Sequence, residues 1–177
     1  QPLAGSLPGR LSQPLSGTGE TQVGAQAAAF LCCELGTLYE HLAHMQTEHT
    51  GAIDQAVACY SEALRRDPQC RTAARALVTL YRSMSRPREQ LGAMDRLLPL
   101  LRDDAQRLSL LLEIGDLAMQ LAAAPSAQSD ATPTGDTDAH GQVFAEQALA
   151  AYSQAIGLSP SQPQAIARFI ELSRRLR

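Results

Sequence analysis

The sequence predicts an all-α fold built from stacked antiparallel helix pairs, about three pairs followed by a terminal helix. Three observations carry that prediction. Apolar residues recur at helical spacing almost throughout, and no stretch alternates as a strand would. Prolines fall between the periodic segments rather than inside them, where a missing amide and a steric clash would break a helix. Finally, one pattern occurs twice: Ala56, Tyr60, Ala63 and Pro68 share their spacing with Ala148, Tyr152, Ala155 and Pro160, and internal repetition is the mark of a helical array.

Taken in order, residues 1–24 mix Pro, Gly, Ser and Gln without a hydrophobic period. Such a stretch buries too little apolar area to offset chain entropy, so it is expected to be a flexible linker, and a chain opening on Gln1 is expected to be a fragment or a processed product. A first helix over 25–45 follows from Leu31, Leu35, Leu38, Tyr39 and Leu42, which the spacing assigns to a core face. A second helix over 52–66 carries Ala56, Tyr60 and Ala63 and stops before Pro68. A third over 70–84 aligns Ala73, Ala76, Leu77, Leu80, Tyr81 and Met84. The fourth, 88–102, starts after Pro87 and has only a loose Leu91, Met94, Leu98, Leu101 pattern. The fifth, 105–124, has apolar residues on two sides: Leu108, Leu111, Leu112, Ala118 and Met119 on one, and Leu110, Ile114, Leu117 and Leu121 on the other. Helix neighbours on both sides are expected to cover it; an uncovered side would dock a partner or a second copy. Pro125 to Gly141 is rich in turn formers and is expected to be a mobile loop. Helices over 141–158 and 162–176 complete the chain, so that residues 25–177 form one domain.

Leu35-Gly36 with Tyr39, followed by Ala56, Tyr60, Ala63 and Pro68, resembles a tetratricopeptide repeat. Ile114-Gly115 with Ala118, followed by Ala148, Tyr152, Ala155 and Pro160, resembles a second. The middle pair has Ala76-Leu77 in place of Leu-Gly and reads as a degenerate copy. The resemblance implies a right-handed superhelix, and a physical reason accompanies it. Gly36 and Gly115 remove side chains where paired helices approach, alanines on the second helix accept the contact, and tyrosines fill the wider gap. The loops between the helices of both matching pairs are longer than the family's, which costs a surface connection little.

Function classes narrow by exclusion. A net charge of −3 and an isoelectric point near 5.8 argue against nucleic-acid binding. No apolar run is long enough to cross a bilayer, so no direct membrane insertion is expected. No Gly-rich phosphate loop, nucleophile elbow, His-Glu-x-x-His or Cys-x-x-Cys occurs, and neither enzymatic activity nor a cofactor is expected. His41, His44, Glu48 and His49 crowd one helix end; solvated histidines near a helix C-terminus are expected there rather than metal ligands. Cys32, Cys33, Cys59 and Cys70 are expected to be small apolar residues in a reducing, cytoplasmic setting. All fifteen basic residues are Arg and Lys is absent, a bias that suits a GC-rich bacterial genome.

An arginine stripe remains. Arg71, Arg75, Arg82 and Arg86 share one side of the third helix, opposite Ala73 and Leu80, with Val78 among them. In the tetratricopeptide family the first helix of each pair lines a concave groove that holds extended peptides or helices. By that resemblance Arg71, Arg75, Val78 and Arg82 are groove residues, joined by Cys33, Thr37 and Glu40 from the first pair and Asp116 and Gln120 from the third. Forked guanidinium groups suit an acidic partner segment. The chaperone-binding branch clamps a terminal carboxylate with Lys and Asn, and Cys33 and Thr37 stand at those places here. The expected function is therefore a non-catalytic protein-interaction scaffold, with a regulatory or targeting module of a larger enzyme as the alternative and a homo-oligomer as an admitted assembly.

Overall fold

The computed structural model describes residues 18–45, 50–123 and 136–175. They form seven α-helices: α1 Thr18–Met45, α2 Thr50–Arg66, α3 Arg71–Ser83, α4 Pro87–Leu97, α5 Asp104–Ala123, α6 Asp136–Leu158 and α7 Pro163–Arg175. No strand occurs among the described residues. Residues 1–17 and 124–135, most of the expected linker and loop, lie outside the described residues. At their edges the helices run further than the sequence suggests. Thr18–Gly24 belongs to α1, and α6 begins at Asp136 rather than 141. Both extensions are polar turns, and polar turns carry no apolar period to reveal them.

Local chemistry accounts for the helix ends. Pro87 and Pro163 open α4 and α7, where the missing amide would have had no partner. Asp103 caps α5: its carboxylate accepts from the amides of Ala105 and Gln106, both at 3.3 Å. The fourth helix ends at Leu97, short of the expected 102, and a 3₁₀ turn over Leu98–Leu100 follows. Pro99 has no amide to continue the α-helical ladder. Between α3 and α4 the chain reverses through Ser85, whose φ is 54°. The Arg86 amide reaches back to the Tyr81 carbonyl (2.9 Å) and the Ser85 amide to Arg82 (3.2 Å), the two bonds of a Schellman motif.

The helices pack as hairpins α1/α2, α3/α4 and α5/α6, and α7 lies against α6. One core runs through the stack, from Ala29 and Cys33 through Ala56, Leu77, Met94, Leu111 and Ile114 to Ala148, Ala165 and Leu172. The helix buried from both sides is α5: Leu110, Leu111 and Ile114 are buried, and Leu108, Leu112, Leu117 and Leu121 are half-buried against the same core. Its two apolar stripes are covered, as the sequence leads one to expect of a mid-stack helix.

The α1 stripe is different. Leu31, Leu35, Leu38 and Leu42, expected in the core, are 46–63% exposed. Ala29, Cys33 and Gly36, on the other side of the helix, are the residues that α1 buries. Periodicity shows that residues share a face, but not whether anything covers that face.

The two matching hairpins are keyed in the same way, and the key is not quite the expected one. A Cβ at Gly36 would lie 2.7 Å from Cζ of Tyr60, and one at Gly115 would lie 2.5 Å from Cε1 of Tyr152. It is the tyrosine ring, not an alanine, that enters the notch each glycine leaves. Ala56, Ala63, Ala148 and Ala155 are fully buried beside it.

Candidate functional site: the face of the odd-numbered helices

Side-chain contacts sort the helices into two layers. Among the odd-numbered helices, the Cys33 thiol meets that of Cys70 at the start of α3 (3.4 Å). Arg71 donates to Gln106 (2.9 Å) and Arg82 to Glu113 (2.8 Å), both from α3 to α5. Arg168 of α7 lies 3.7 Å from Asp116 of α5. Among the even-numbered helices, Gln147 of α6 donates to Asp95 of α4 (2.6 Å), and Arg88 of α4 stands over the Phe144 ring of α6. The residues expected in a groove therefore fall on α1, α3 and α5, in one layer.

Within that layer their environments differ. Thr37 is exposed, and its Oγ1 donates to the Cys33 carbonyl (3.0 Å) while lying 3.1 Å from the Tyr60 hydroxyl. Tyr60 in turn donates to Glu40 at 2.6 Å. In the matching hairpin the Tyr152 hydroxyl donates to Asp116 at 2.7 Å and lies 3.5 Å from the Met119 sulfur. The two clusters correspond position by position. In each, the tyrosine hydroxyl meets the residues one and four places after the notch glycine, Thr37 and Glu40 after Gly36, Asp116 and Met119 after Gly115. Only the carboxylate has changed place. Burial, together with hydrogen bonding to Glu40, pushes the Tyr60 phenol up to about 12; burial and Asp116 raise Tyr152 as well. Both rings stay neutral donors, so each carboxylate is anchored to the layer beneath it.

The arginine stripe is partly engaged by the protein itself. Arg82 and Glu113 are 59% and 49% exposed, and an ion pair that wet is worth at most about 1 kcal/mol. It orients the side chains rather than holding the stack. Arg71 is half-buried, and its Nε has no hydrogen-bond partner. Arg75 is exposed and has no carboxylate within 4 Å among the described residues. Val78, expected in the groove, is instead a core residue at 8% exposure, because it packs inward beside Leu77. Arg86 leaves the stripe: it precedes α4 and lies 3.7 Å from Asp54. Gln120 is exposed on α5.

Gln106, Glu113 and Arg168 belong to the same layer and were not singled out by sequence. A signal existed for two of them, since Gln106, Glu113 and Gln120 repeat every seven residues on one side of α5. His41 and His44 are exposed, Glu48 and His49 lie outside the described residues, and no cluster of metal-ligating side chains occurs among the described residues. Burial and the neighbouring Cys70 thiol push the Cys33 thiol up to about 12, which makes it an inert packing group rather than a nucleophile. A separate cleft of about 580 Å³ opens between the C-terminal ends of α2 and α4, against Leu64, Pro68, Arg96 and Leu100.

A two-layer stack of helical hairpins, with a polar face along its odd-numbered helices, is thus the class of architecture this chain adopts. No family model matches the chain, and no curated protein matches it. Among solved structures it is similar to the first TPR of Spaghetti (RPAP3) bound to the HSP90 peptide SRMEEVD, at 15% identity, over 85% of this chain and 94% of that one, with a TM-score of 0.43.

Proposed function

We propose that the chain is a non-catalytic protein-interaction scaffold that holds a partner's peptide or helix, acidic in character, across α1, α3 and α5. The observation that carries this reading is Arg75: an exposed guanidinium in the middle helix of the layer, flanked by Arg71 and Arg82, with no carboxylate partner among the described residues. A guanidinium presents a rigid fork of donors that a carboxylate can accept in pairs. The neighbours prepare the site. Gln106 and Glu113 hold Arg71 and Arg82 in place, so less side-chain entropy is lost when a ligand arrives. Glu40 and Asp116, each anchored by a buried tyrosine, bracket the arginines with negative charge and set the register of a segment whose acidic residues must lie over α3. Thr37 and Gln120 supply neutral hydrogen-bonding groups at the two sides. The four cysteines are free thiols, in keeping with a reducing, cytoplasmic setting.

Peptide selection on the folded protein tests the proposal. The wild-type chain should enrich acidic sequences, and Arg75→Glu should lose them while its helical circular dichroism is unchanged. Recovery of the same sequences by both proteins would refute the assignment.

A further inference from the structure

The exposed apolar stripe on α1 has an order that ordinary surface residues lack. Ala28, Leu31, Leu35, Leu38, Leu42 and Met45 follow one another by alternating steps of three and four, the spacing of a coiled-coil seam. The five large side chains are 46–84% exposed. They lie roughly opposite Ala29, Cys33 and Gly36, so neither α2 nor α3 covers them. A patch of this kind, several hundred Å² in area, is at the limit of what a soluble monomer leaves in water.

We propose that this seam is the interface of a homodimer in which α1 packs antiparallel against α1 of a second copy, about a two-fold axis between residues 36 and 37. The seam is its own complement only in that arrangement. Antiparallel coiled coils set each "a" residue opposite a "d" residue, and one register aligns all six positions at once: Leu35 with Leu38, Leu31 with Leu42, Ala28 with Met45, each twice by symmetry. The ends are matched in size as well, since the smallest residue, Ala28, meets the longest, Met45. The polar flanks agree with the register. The flanking "g" positions are Glu34 and His41, both exposed, and the same two-fold axis sets Glu34 of each copy beside His41 of the other. A parallel pair would instead set Glu34 beside Tyr39. The helix is already formed by its packing on α2, so association orders little new chain. Doubled across the axis and bordered by its polar rim, the patch reaches the roughly 1,200 Å² at which specific interfaces begin. The product is a row of four helices, α2 and α1 of one copy followed by α1 and α2 of the other, with the arginines of α3 left outside it.

Sedimentation equilibrium of the full chain over a concentration series tests the proposal. The wild type should reach twice the protomer mass of 19.0 kDa. Leu35→Glu with Leu38→Glu should sediment as a protomer with unchanged helical circular dichroism, because both side chains are exposed in the protomer. His41→Glu, which sets like charges together at both "g" contacts, should weaken the dimer several-fold, and adding Glu34→Arg should restore it. A wild type that stays at the protomer mass, or a double Leu→Glu variant that still dimerises, overturns the interface. A dimer indifferent to His41→Glu overturns the antiparallel register.

Discussion

Replacing Gly36 by Ala separates two opposed effects whose sizes can be set against each other. In an open helix the change stabilises by about 1 kcal/mol, because Gly loses more chain entropy on ordering. At Gly36 the new Cβ would stand 2.7–2.9 Å from three atoms of the Tyr60 ring. Overpacking of a core typically costs about 1–3 kcal/mol. The ring cannot simply swing aside, since its hydroxyl is tied to Glu40 at 2.6 Å, and losing a hydrogen bond to a charged group costs about 1.5–3 kcal/mol. The overpacking term wins, and Gly36→Ala should destabilise by about 1–2 kcal/mol. In a Tyr60→Leu background the ring is gone and the sign should reverse, with Ala favoured by up to about 1 kcal/mol. Urea denaturation followed at 222 nm on the four proteins of this cycle measures the coupling. A Gly36→Ala variant more stable than wild type, or one whose effect is the same with Leu at residue 60, would refute the notch. Gly115→Ala should cost at least as much, because Tyr152 is 0% exposed and its ring is closer.

Three further outcomes are expected. In an alkaline titration followed by tyrosine absorbance, Tyr60 should ionise only near pH 12 and Tyr152 no earlier; their raised values mean that the stability they add is complete below pH 10 and is lost as pH rises towards 12. Ser85→Gly should stabilise the protein by about 0.5–1 kcal/mol, because it relieves a left-handed backbone at a helix C-terminus at a smaller cost in chain entropy; a lowered melting temperature would contradict the Schellman assignment. Glu62, held down to about 2 by hydrogen bonds to Arg65 and Arg66, should contribute stability above pH 4.5 that disappears as pH falls towards 2. Melting curves of wild type and Glu62→Gln should therefore converge in acid.

Much of this fold is legible because each hairpin is specified locally. Pro68, Pro87 and Pro160 punctuate the chain where helices must stop or start. The Gly36–Tyr60 and Gly115–Tyr152 pairs recur at matched places, so repetition exposes them even though the ring and not an alanine fills the notch. What periodicity reports is the side of a helix that is apolar; whether another helix lies on that side depends on contacts distant in sequence. The two apolar stripes of α5 are covered, the α1 stripe is not, and nothing in the local pattern of either helix distinguishes them. The same limit applies to the candidate site. Arg71, Arg75 and Arg82 are visible as one stripe, but the engagement of Arg71 by Gln106 and of Arg82 by Glu113 depends on how α3 and α5 are offset along the stack. Val78 stands at the edge of the arginine arc, on the side of the buried Ala74, and turns inward, since a valine at the border of a stripe goes wherever apolar contact is available.

The assignment of the odd-numbered face as the binding surface is tested most directly by where a bound segment lies. Hydrogen exchange of the folded chain with and without a selected acidic peptide locates it, residue range by residue range. Added protection should appear in α1, α3 and α5, greatest around Arg75, with α2, α4 and α6 unchanged. Protection confined to the even-numbered helices, or to the cleft between the ends of α2 and α4, would contradict it.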